Sequence, residues 1–167
     1  MNDKNELFKT LMHQHKVPLY SYIFSMVKDE GTASDIFQEV FIKVFKNMAS
    51  YKEQGKFKSW MFKIASNLVM DYFRKNKPMQ LDEYINLEDK TDKNPVDVLA
   101  KEEDVQIIKN AMDKLSPQDR EVIYLRQYSA MSFKEISSAL KLPLGTVLAR
   151  ASRTLKKLRV ILGEQNA

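Results

Sequence analysis

Residues 132–162 read SFKEISSALKLPLGTVLARASRTLKKLRVIL, and this stretch decides the fold of the C-terminal part of the chain. Ser132 followed three residues later by Glu135 is a capping box, which predicts the start of a helix. The segment Lys141-Leu142-Pro143 breaks that helix, because proline has no backbone N–H to continue it. A second helix is predicted over about 145–162. A short capped helix, a tight break and a longer helix are typical of a helix-turn-helix motif.

The second helix of this motif is basic. It contains no acidic residue between Leu144 and Leu162. Its cations are Arg150, Arg153, Lys156, Lys157 and Arg159. Arginines in the N-terminal half can reach base edges in a major groove, and the later lysines can neutralise phosphates. Thr146 and the amides at the helix start can hold a phosphate. We therefore expect DNA binding; the alternative is a basic, solvated helix on a bundle.

Upstream of the motif, the sequence predicts further helices and then a domain boundary. Apolar residues recur at helical spacing from Val105 to Leu115, and Ser116-Pro117 is typical of a helix start. Residues 76–100 have no such period and carry six acidic against three basic residues. This composition predicts a flexible acidic linker. The expected division is an N-terminal domain at 1–76, a linker at 77–100 and a C-terminal domain at 101–167.

The N-terminal domain is also predicted to be helical, so the expected fold class is all-α. Gly31 is predicted to end the first helical stretch and Thr32 to cap the next. That second helix carries one broad apolar stripe, made of Ile36, Phe37, Val40, Phe41, Val44, Phe45 and Met48. A third helix is predicted over about 58–75. Its expected exposed face consists of Lys63, Asn67, Asp71 and Arg74.

The segment 51–75 mixes cations with aromatic residues. Cations that follow a backbone beside rings that can stack on bases are typical of single-stranded nucleic-acid binding. The alternative is that the rings, above all Phe57 and Trp60, belong to the core of the domain. The sequence alone leaves both interpretations open.

Composition narrows the classes of function. The chain has 167 residues, 44% of them hydrophobic, and no cysteine. Disulfides, thiolate metal sites and a cysteine nucleophile are therefore excluded. The N-terminus lacks a signal-peptide pattern, and no apolar run approaches the ~20 residues of a membrane span. We expect a cytoplasmic protein without membrane insertion.

Charge and the lack of catalytic motifs favour a binding protein over an enzyme. Lys and Arg outnumber Asp and Glu by 12 to 8 in residues 1–75 and again in residues 101–167. Two basic segments around an acidic one suit two polyanion-binding domains on a tether, although ordinary solvated charge is the alternative. His13 and His15 lie two apart, so on a helix they point to different faces and form no metal pair. We predict no catalytic residue, no metal and no cofactor.

Taken together, these segments resemble the extracytoplasmic-function (ECF) sigma factors of bacterial RNA polymerase. The resemblance covers about residues 7–160 and follows the order of the family. The segments that carry it are DIFQEVF (35–41), FKSWMFKIASN (57–67), DYFRK (71–75), LSP (115–117), REV (120–122), SFKEI (132–136) and PLGTV (143–147).

The resemblance implies a non-enzymatic subunit that directs RNA polymerase to promoters by −35 duplex binding and −10 strand opening. The implied partners are the polymerase core (its β′ clamp helices and β flap), promoter DNA in double- and single-stranded form, and an anti-sigma factor. The implied core-binding residues are Asp35, Gln38 and Glu39. The implied −10 residues are Tyr51, Lys56, Lys58, Ser59, Lys63, Asn67 and Arg74. The implied −35 residues are Gly145, Thr146, Leu148, Ala149, Arg150, Ser152, Arg153, Lys156 and Lys157.

The recognition helix departs from the family's pattern. After Gly145-Thr146-Val147 the family usually has a Lys or Arg followed by Ser, whereas Leu148 and Ala149 stand here. Losing a cation removes a phosphate or guanine contact, worth about 1–3 kcal/mol if bidentate. We therefore expect an unusual −35 preference, based on DNA shape and apolar contact as much as on hydrogen bonds.

Two other functions fit parts of the sequence. A conventional helix-turn-helix regulator would need a sensor or dimerisation domain in the N-terminal part, where the chain instead carries the segment 35–41. A protein that sequesters a partner without touching DNA would not need Arg150 and Arg153.

Overall fold

The structure is a computed structural model that describes residues 2–76 and 102–165. Within those ranges it contains seven helices and no strand, which confirms the predicted all-α class. The predicted linker, 77–100, lies outside the described residues. The helices are α1 (Asn2–Val27), α2 (Glu30–Asn47), α3 (Phe57–Lys75), α4 (Glu102–Asp113), α5 (Pro117–Ser129), α6 (Phe133–Leu140) and α7 (Leu144–Gln165).

The turn between α1 and α2 differs from the prediction. Lys28 adopts a left-handed backbone conformation, with φ 59°, and Asp29 is the N-cap of α2. The Asp29 carboxylate accepts hydrogen bonds from the Thr32 amide at 2.8 Å and from its hydroxyl at 2.6 Å. Gly31 therefore lies inside α2, and the expectation that it ends a helix before a Thr32 cap was wrong. Both Asp and Thr can cap, and the carboxylate that lies three residues earlier takes the role.

The helix-turn-helix forms as its local signals predict. The Ser132 hydroxyl accepts from the Glu135 amide at 3.1 Å, and the Glu135 carboxylate accepts from the Ser132 amide at 2.8 Å. These two bonds complete the capping box. Lys141, with φ 54°, turns the chain between α6 and α7. The Ser116 cap and first-turn Pro117 of α5 are also confirmed.

The N-terminal domain (α1–α3) and the C-terminal domain (α4–α7) pack directly on one another. Helices α1 and α3 contact α5, and α3 also contacts α6. Tyr22 and Phe62, fully buried in the N-terminal domain, and Leu125, fully buried in the C-terminal domain, belong to one apolar cluster. Lys28 also forms an ion pair with Asp113 at 3.4 Å. We call this packing the interdomain contact.

The apolar stripe of α2 is only partly buried. On α2 the residues Ile36, Val40, Val44 and Met48 are buried, but Phe41 and Phe45 are 40% and 51% exposed. The apolar stripe is wider than the surface that α1 and α3 cover. Leu155 of α7 is likewise 43% exposed.

No helix in the described part of the chain combines the length and the apolar character that crossing a membrane requires.

Candidate nucleic-acid and polymerase interfaces

Helix α7 buries one side and presents the other to solvent. Val147, Ala151 and Leu158 are buried against the domain. Among the predicted −35 residues, Arg150 and Lys157 are only partly exposed. The others are exposed, namely Gly145, Thr146, Leu148, Ala149, Ser152, Arg153 and Lys156. Arg153 of the recognition helix therefore faces solvent. Arg150 lies at the edge of the exposed side of the helix and is only partly exposed.

That flank is occupied by Asp119, a buried carboxylate on α5. Lys157 donates to one of its oxygens at 2.8 Å, and Arg153 donates to the other at 3.3 Å. Burial on its own would raise the pKa of Asp119, but the contacts with Lys157 and Arg153 outweigh it and hold the pKa below its ordinary value. Two of the predicted DNA-binding cations are thus tied to α5, with the Arg153 side chain still 58% exposed.

The segment before α3 forms an aromatic cluster beside an open pocket. The rings of Tyr51 and Trp60 are stacked, with their centres 5.3 Å apart. The Phe57 ring lies edge-on to both and is almost fully buried. Phe57 therefore belongs to the core, whereas Tyr51 and Trp60 are partly exposed. The pocket has a volume of about 600 Å³ and is lined by Lys43, Asn47, Ser50, Tyr51, Lys52, Gln54, Trp60 and Ile64.

Tyr51 is held in place by Glu53. Its hydroxyl donates to the Glu53 carboxylate at 3.1 Å, and the same carboxylate accepts from the Gly55 amide at 2.7 Å. Partial burial and the neighbouring Glu53 charge raise the pKa of Tyr51 to about 12. The phenol therefore stays protonated and neutral at physiological pH. Gly55 adopts φ 70°, a conformation that favours glycine.

The polar face of α3 is partly covered by the C-terminal domain. Asn67 and Arg74 are exposed as predicted, and Arg74 pairs with Asp71 at 3.0 Å. Lys63, however, is half-buried, and burial together with the nearby Lys141 lowers its pKa. The prediction that Lys63 is fully exposed was wrong, since α6 packs against this part of α3.

A carboxylate that the sequence analysis did not single out lies at the centre of the interdomain contact. Glu121 of α5 is buried and accepts hydrogen bonds from the hydroxyls of Tyr22, at 3.2 Å, and Ser66. Burial raises its pKa to about 7, although the two hydrogen bonds and Arg150 act in the opposite direction. The sequence signal that could have identified Glu121 as buried is its spacing. It lies four residues before the core residue Leu125, and residues four apart share one face of a helix.

The neighbouring Arg120 is also buried. Its guanidinium lies 5.4 Å from the centre of the Phe73 ring on α3 and donates to the Met26 carbonyl of α1 at 3.4 Å. The adjacent residues Arg120 and Glu121 of α5 thus each contact both α1 and α3.

The predicted polymerase-binding residues share one open face of α2. Asp35, Gln38 and Glu39 are all exposed, and Ile42, one turn further on, is 50% exposed. Phe41 and Phe45 flank this face and pack edge-on to Phe8 at 4.9 and 5.2 Å. An acidic face beside exposed apolar side chains is a suitable surface for a protein partner. In the described ranges, no group of three or more His, Asp or Glu residues could hold a metal ion.

Comparison with known families agrees with this geometry. Residues 11–78 match sigma-70 region 2, and residues 111–160 match sigma-70 region 4. The ECF RNA polymerase sigma factor SigW of Bacillus subtilis is 30% identical over 92% of this chain and 88% of its own. The ECF RNA polymerase sigma factor SigE of Mycolicibacterium smegmatis is 28% identical over 94% of this chain, which spans 62% of its length.

A solved structure has the same fold. The sigma factor RpoE of Bartonella quintana, in complex with the anti-sigma factor NepR, superposes with a TM-score of 0.72. It is 23% identical, with 93% of this chain and 96% of that chain covered. The matches to regions 2 and 4, in this order, and the identity to SigW over nearly the whole chain show that this protein belongs to the ECF RNA polymerase sigma factors.

Proposed function

We propose that this chain directs RNA polymerase to specific promoters and starts transcription there, binding the −35 element as duplex and the −10 element as an opened strand. The observation that carries the proposal is the exposed helix α7 of a helix-turn-helix in the region 4 match, combined with the aromatic pocket in the region 2 match. The chain itself is not a catalyst, because the polymerase core performs the chemistry of RNA synthesis.

Helix α7 binds the −35 element in the major groove. At its N-terminal end all residues of 144–149 except the buried Val147 are exposed, as the base-contacting end of a recognition helix must be. Lys156 and the exposed portion of Arg153 contact phosphates. Arg150 and Lys157 act mainly from the flank, where they are close to the carboxylates of α5.

The pocket between α2 and α3 holds a base of the −10 strand. Extruding a base from the duplex costs a few kcal/mol of lost stacking and pairing. Stacking on an aromatic side chain returns about 1–3 kcal/mol per base. Tyr51 and Trp60 supply that ring surface, and Lys43 and Lys52 supply charge for the backbone. Lys56, Lys58, Ser59, Asn67 and Arg74 then guide the strand along the loop and α3.

The open face of α2 binds the polymerase. Asp35, Gln38 and Glu39 contact the β′ clamp helices, with Ile42 and Phe45 adding apolar contact. The C-terminal domain contacts the β flap. In cells we place this sigma factor in the cytoplasm, where transcription occurs.

Binding to both promoter elements requires the interdomain contact to open. The elements lie about 25 base pairs apart, or about 85 Å at 3.4 Å per base pair. The longest helix in the described residues, α1 with 26 residues, is about 39 Å long, less than half of that separation. The 25 residues between Asn76 and Glu102 can span at most about 90 Å. We infer that docking on the polymerase separates the two domains.

An anti-sigma factor is the second partner that we propose. The RpoE relative was solved with one. An inhibitor that inserts between the domains of this chain would have to break the hydrogen bonds of Glu121 with Tyr22 and Ser66, whereas one that binds outside could leave them intact.

The function is tested by reconstitution. Purified chain with core polymerase is expected to give transcripts that start at specific promoters, while the chain alone, whose domains pack on one another, binds the same duplex promoters weakly. Run-off transcription and gel-shift titration measure the two properties. Strong specific binding without polymerase would instead indicate a conventional helix-turn-helix regulator.

A double variant tests the role of α7 in the same assay. Arg150→Ala with Arg153→Ala is expected to lower promoter-dependent transcription while binding to core polymerase stays normal. Unchanged transcription would contradict DNA binding by this helix and would favour a protein that only sequesters a partner. Lys109→Ala, an exposed cation on α4, is the matched control.

A further inference from the structure

The N-terminal part of α7 exposes leucine where a DNA-reading helix usually presents charge. Leu144 is 42% exposed and Leu148 is 44% exposed. They lie four residues apart, so both occupy one face of the helix, with Cα atoms about 6 Å apart along its axis. We call Leu144 and Leu148 the leucine face.

The core of the domain does not account for the leucine face. Val147, Ala151 and Leu158 already occupy the buried side of α7. Burying a leucine side chain fully is favourable, yet a little under half of the surface is left in water at both positions. The leucine face is therefore available to a ligand.

No cation of α7 replaces these leucines at the front of the helix. The first turn and a half, 144–149, contains no charged residue. Arg153 and Lys157 are bound to Asp119, and Arg150 lies partly buried where its charge acts on Glu121. A bidentate arginine contact to guanine, the most common specific contact in a major groove, has no donor at this end of the helix.

The charges around the leucine face favour DNA as its ligand over a protein. Lys134 and Lys141 of the first helix and turn, and Lys156 further along α7, are exposed. Between residues 132 and 162 the sole acidic residue is Glu135, and its carboxylate is engaged in the capping box. An exposed apolar face on a helix-turn-helix whose other exposed charges are mainly cations matches a thymine-containing major groove, where methyl groups project between two rows of phosphates.

We propose that Leu144 and Leu148 determine −35 specificity by contacting thymine methyl groups. Four residues of helix correspond to about 6 Å, or about two base-pair steps of 3.4 Å. The two leucines therefore select thymines about two base pairs apart. This inference rests on the proposed function, because it names which chemical feature of the −35 element that same helix recognises.

The test removes single methyl groups from the DNA. A −35 element is first selected with reconstituted holoenzyme from a promoter library randomised at that element. Each thymine in it is then replaced by deoxyuridine, which lacks only the C5 methyl. Removing one contacted methyl is expected to weaken holoenzyme binding about fourfold, given about 0.8 kcal/mol per buried carbon group. Two positions are expected to respond.

The variants assign each methyl to a side chain. With Leu148→Ala the deoxyuridine effect is expected to disappear at one of the two positions and to persist at the other, and with Leu144→Ala the reverse. Leu155→Ala is the matched control, since this exposed leucine lies about 10 Å further along α7. It should keep both effects.

Three results would overturn the inference while leaving the proposed function intact. Promoter-dependent transcription could be insensitive to deoxyuridine at every −35 position. The sensitivity could be equal in wild type and in both leucine variants. The variants could weaken assembly with core polymerase without changing the deoxyuridine effect, which would make the leucine face a protein contact. Failure to obtain any promoter-dependent transcription would instead contradict the proposed function itself.

Discussion

Replacing Tyr51 and Trp60 together by alanine is expected to lower open-complex formation by roughly 10- to 100-fold. The two rings stack on each other at 5.3 Å and line the pocket between α2 and α3. Stacking contributes about 1–3 kcal/mol per base, and the free-energy cost of extruding a base from duplex DNA is of the same size. Without the rings that cost is not offset. Permanganate reactivity of thymines near the start site measures the opening.

Two controls separate this effect from loss of folding. Tyr51→Phe with Trp60→Phe keeps both rings and should retain most of the opening. On a template whose −10 region is already unpaired, the alanine variant should recover much of its activity, because the mismatch removes the unstacking cost. Equal losses on duplex and unpaired templates would show that the rings only support the fold. Thermal unfolding of each variant checks that the core around Phe57 persists.

The second large effect concerns pH and the interdomain contact. Raising the pH from 5 to 8 is expected to shift the two domains from packed to separated. The packed state holds Glu121 buried between Tyr22 and Ser66, with a pKa of about 7, against an ordinary value of 4.5. The protonated carboxyl is therefore favoured by packing. A raised pKa stabilises the packed state fully below 4.5, and this contribution is lost as the pH rises through 7.

The size of the effect follows from the two pKa values. The difference between the two pKa values of Glu121, 4.5 and about 7, corresponds to a change of about 3 kcal/mol in the free energy of packing. This is on the order of 100-fold in the ratio of packed to separated molecules. Other groups near the site act differently. Arg150 lowers the pKa of Glu121, and the pKa of Tyr22 is itself raised by burial and by Glu121, so the phenol does not titrate in this range.

The distance between the domains can be measured with dyes attached to introduced cysteines, because the chain has no native cysteine. Cysteines introduced at Lys9 of α1 and Lys109 of α4, both exposed, allow two dyes to report the distance between domains by energy transfer. Glu121→Gln keeps a neutral side chain of the same shape and should remove the pH dependence, with the domains packed throughout. Glu103→Gln, on exposed α4 surface, should behave as the parent. A pH response that survives Glu121→Gln would show that another group is responsible.

Local signals in the sequence were sufficient to predict the helix-turn-helix. Ser132, Glu135 and Pro143 act within a few residues of themselves, so their capping and helix-ending effects do not depend on the rest of the chain. The same holds for Ser116 and Pro117 at the start of α5. Where two residues could cap, at Asp29 and Thr32, the sequence did not distinguish between them, and the prediction was wrong.

The interdomain contact could not be predicted, because it depends on distant parts of the chain. Lys63 has the spacing of an exposed residue, yet α6 covers it. Phe41 and Phe45 have the spacing of core residues, yet α1 covers them only in part, through Phe8, and both remain exposed. Periodicity shows which residues share a face, but not how wide the covering element is. Glu121 and Asp119 needed the packing of α5 before their partners could be identified.

The pairing of Asp119 with Arg153 and Lys157 also affects how the protein responds to salt. A cation that neutralises a phosphate on binding displaces a condensed ion from DNA, and each such exchange adds about 0.9 to the slope of log affinity against log salt. Cations that are already paired with a carboxylate displace fewer condensed ions when they bind DNA. Affinity of α7 for promoters should therefore vary less with ionic strength than its count of Arg and Lys implies.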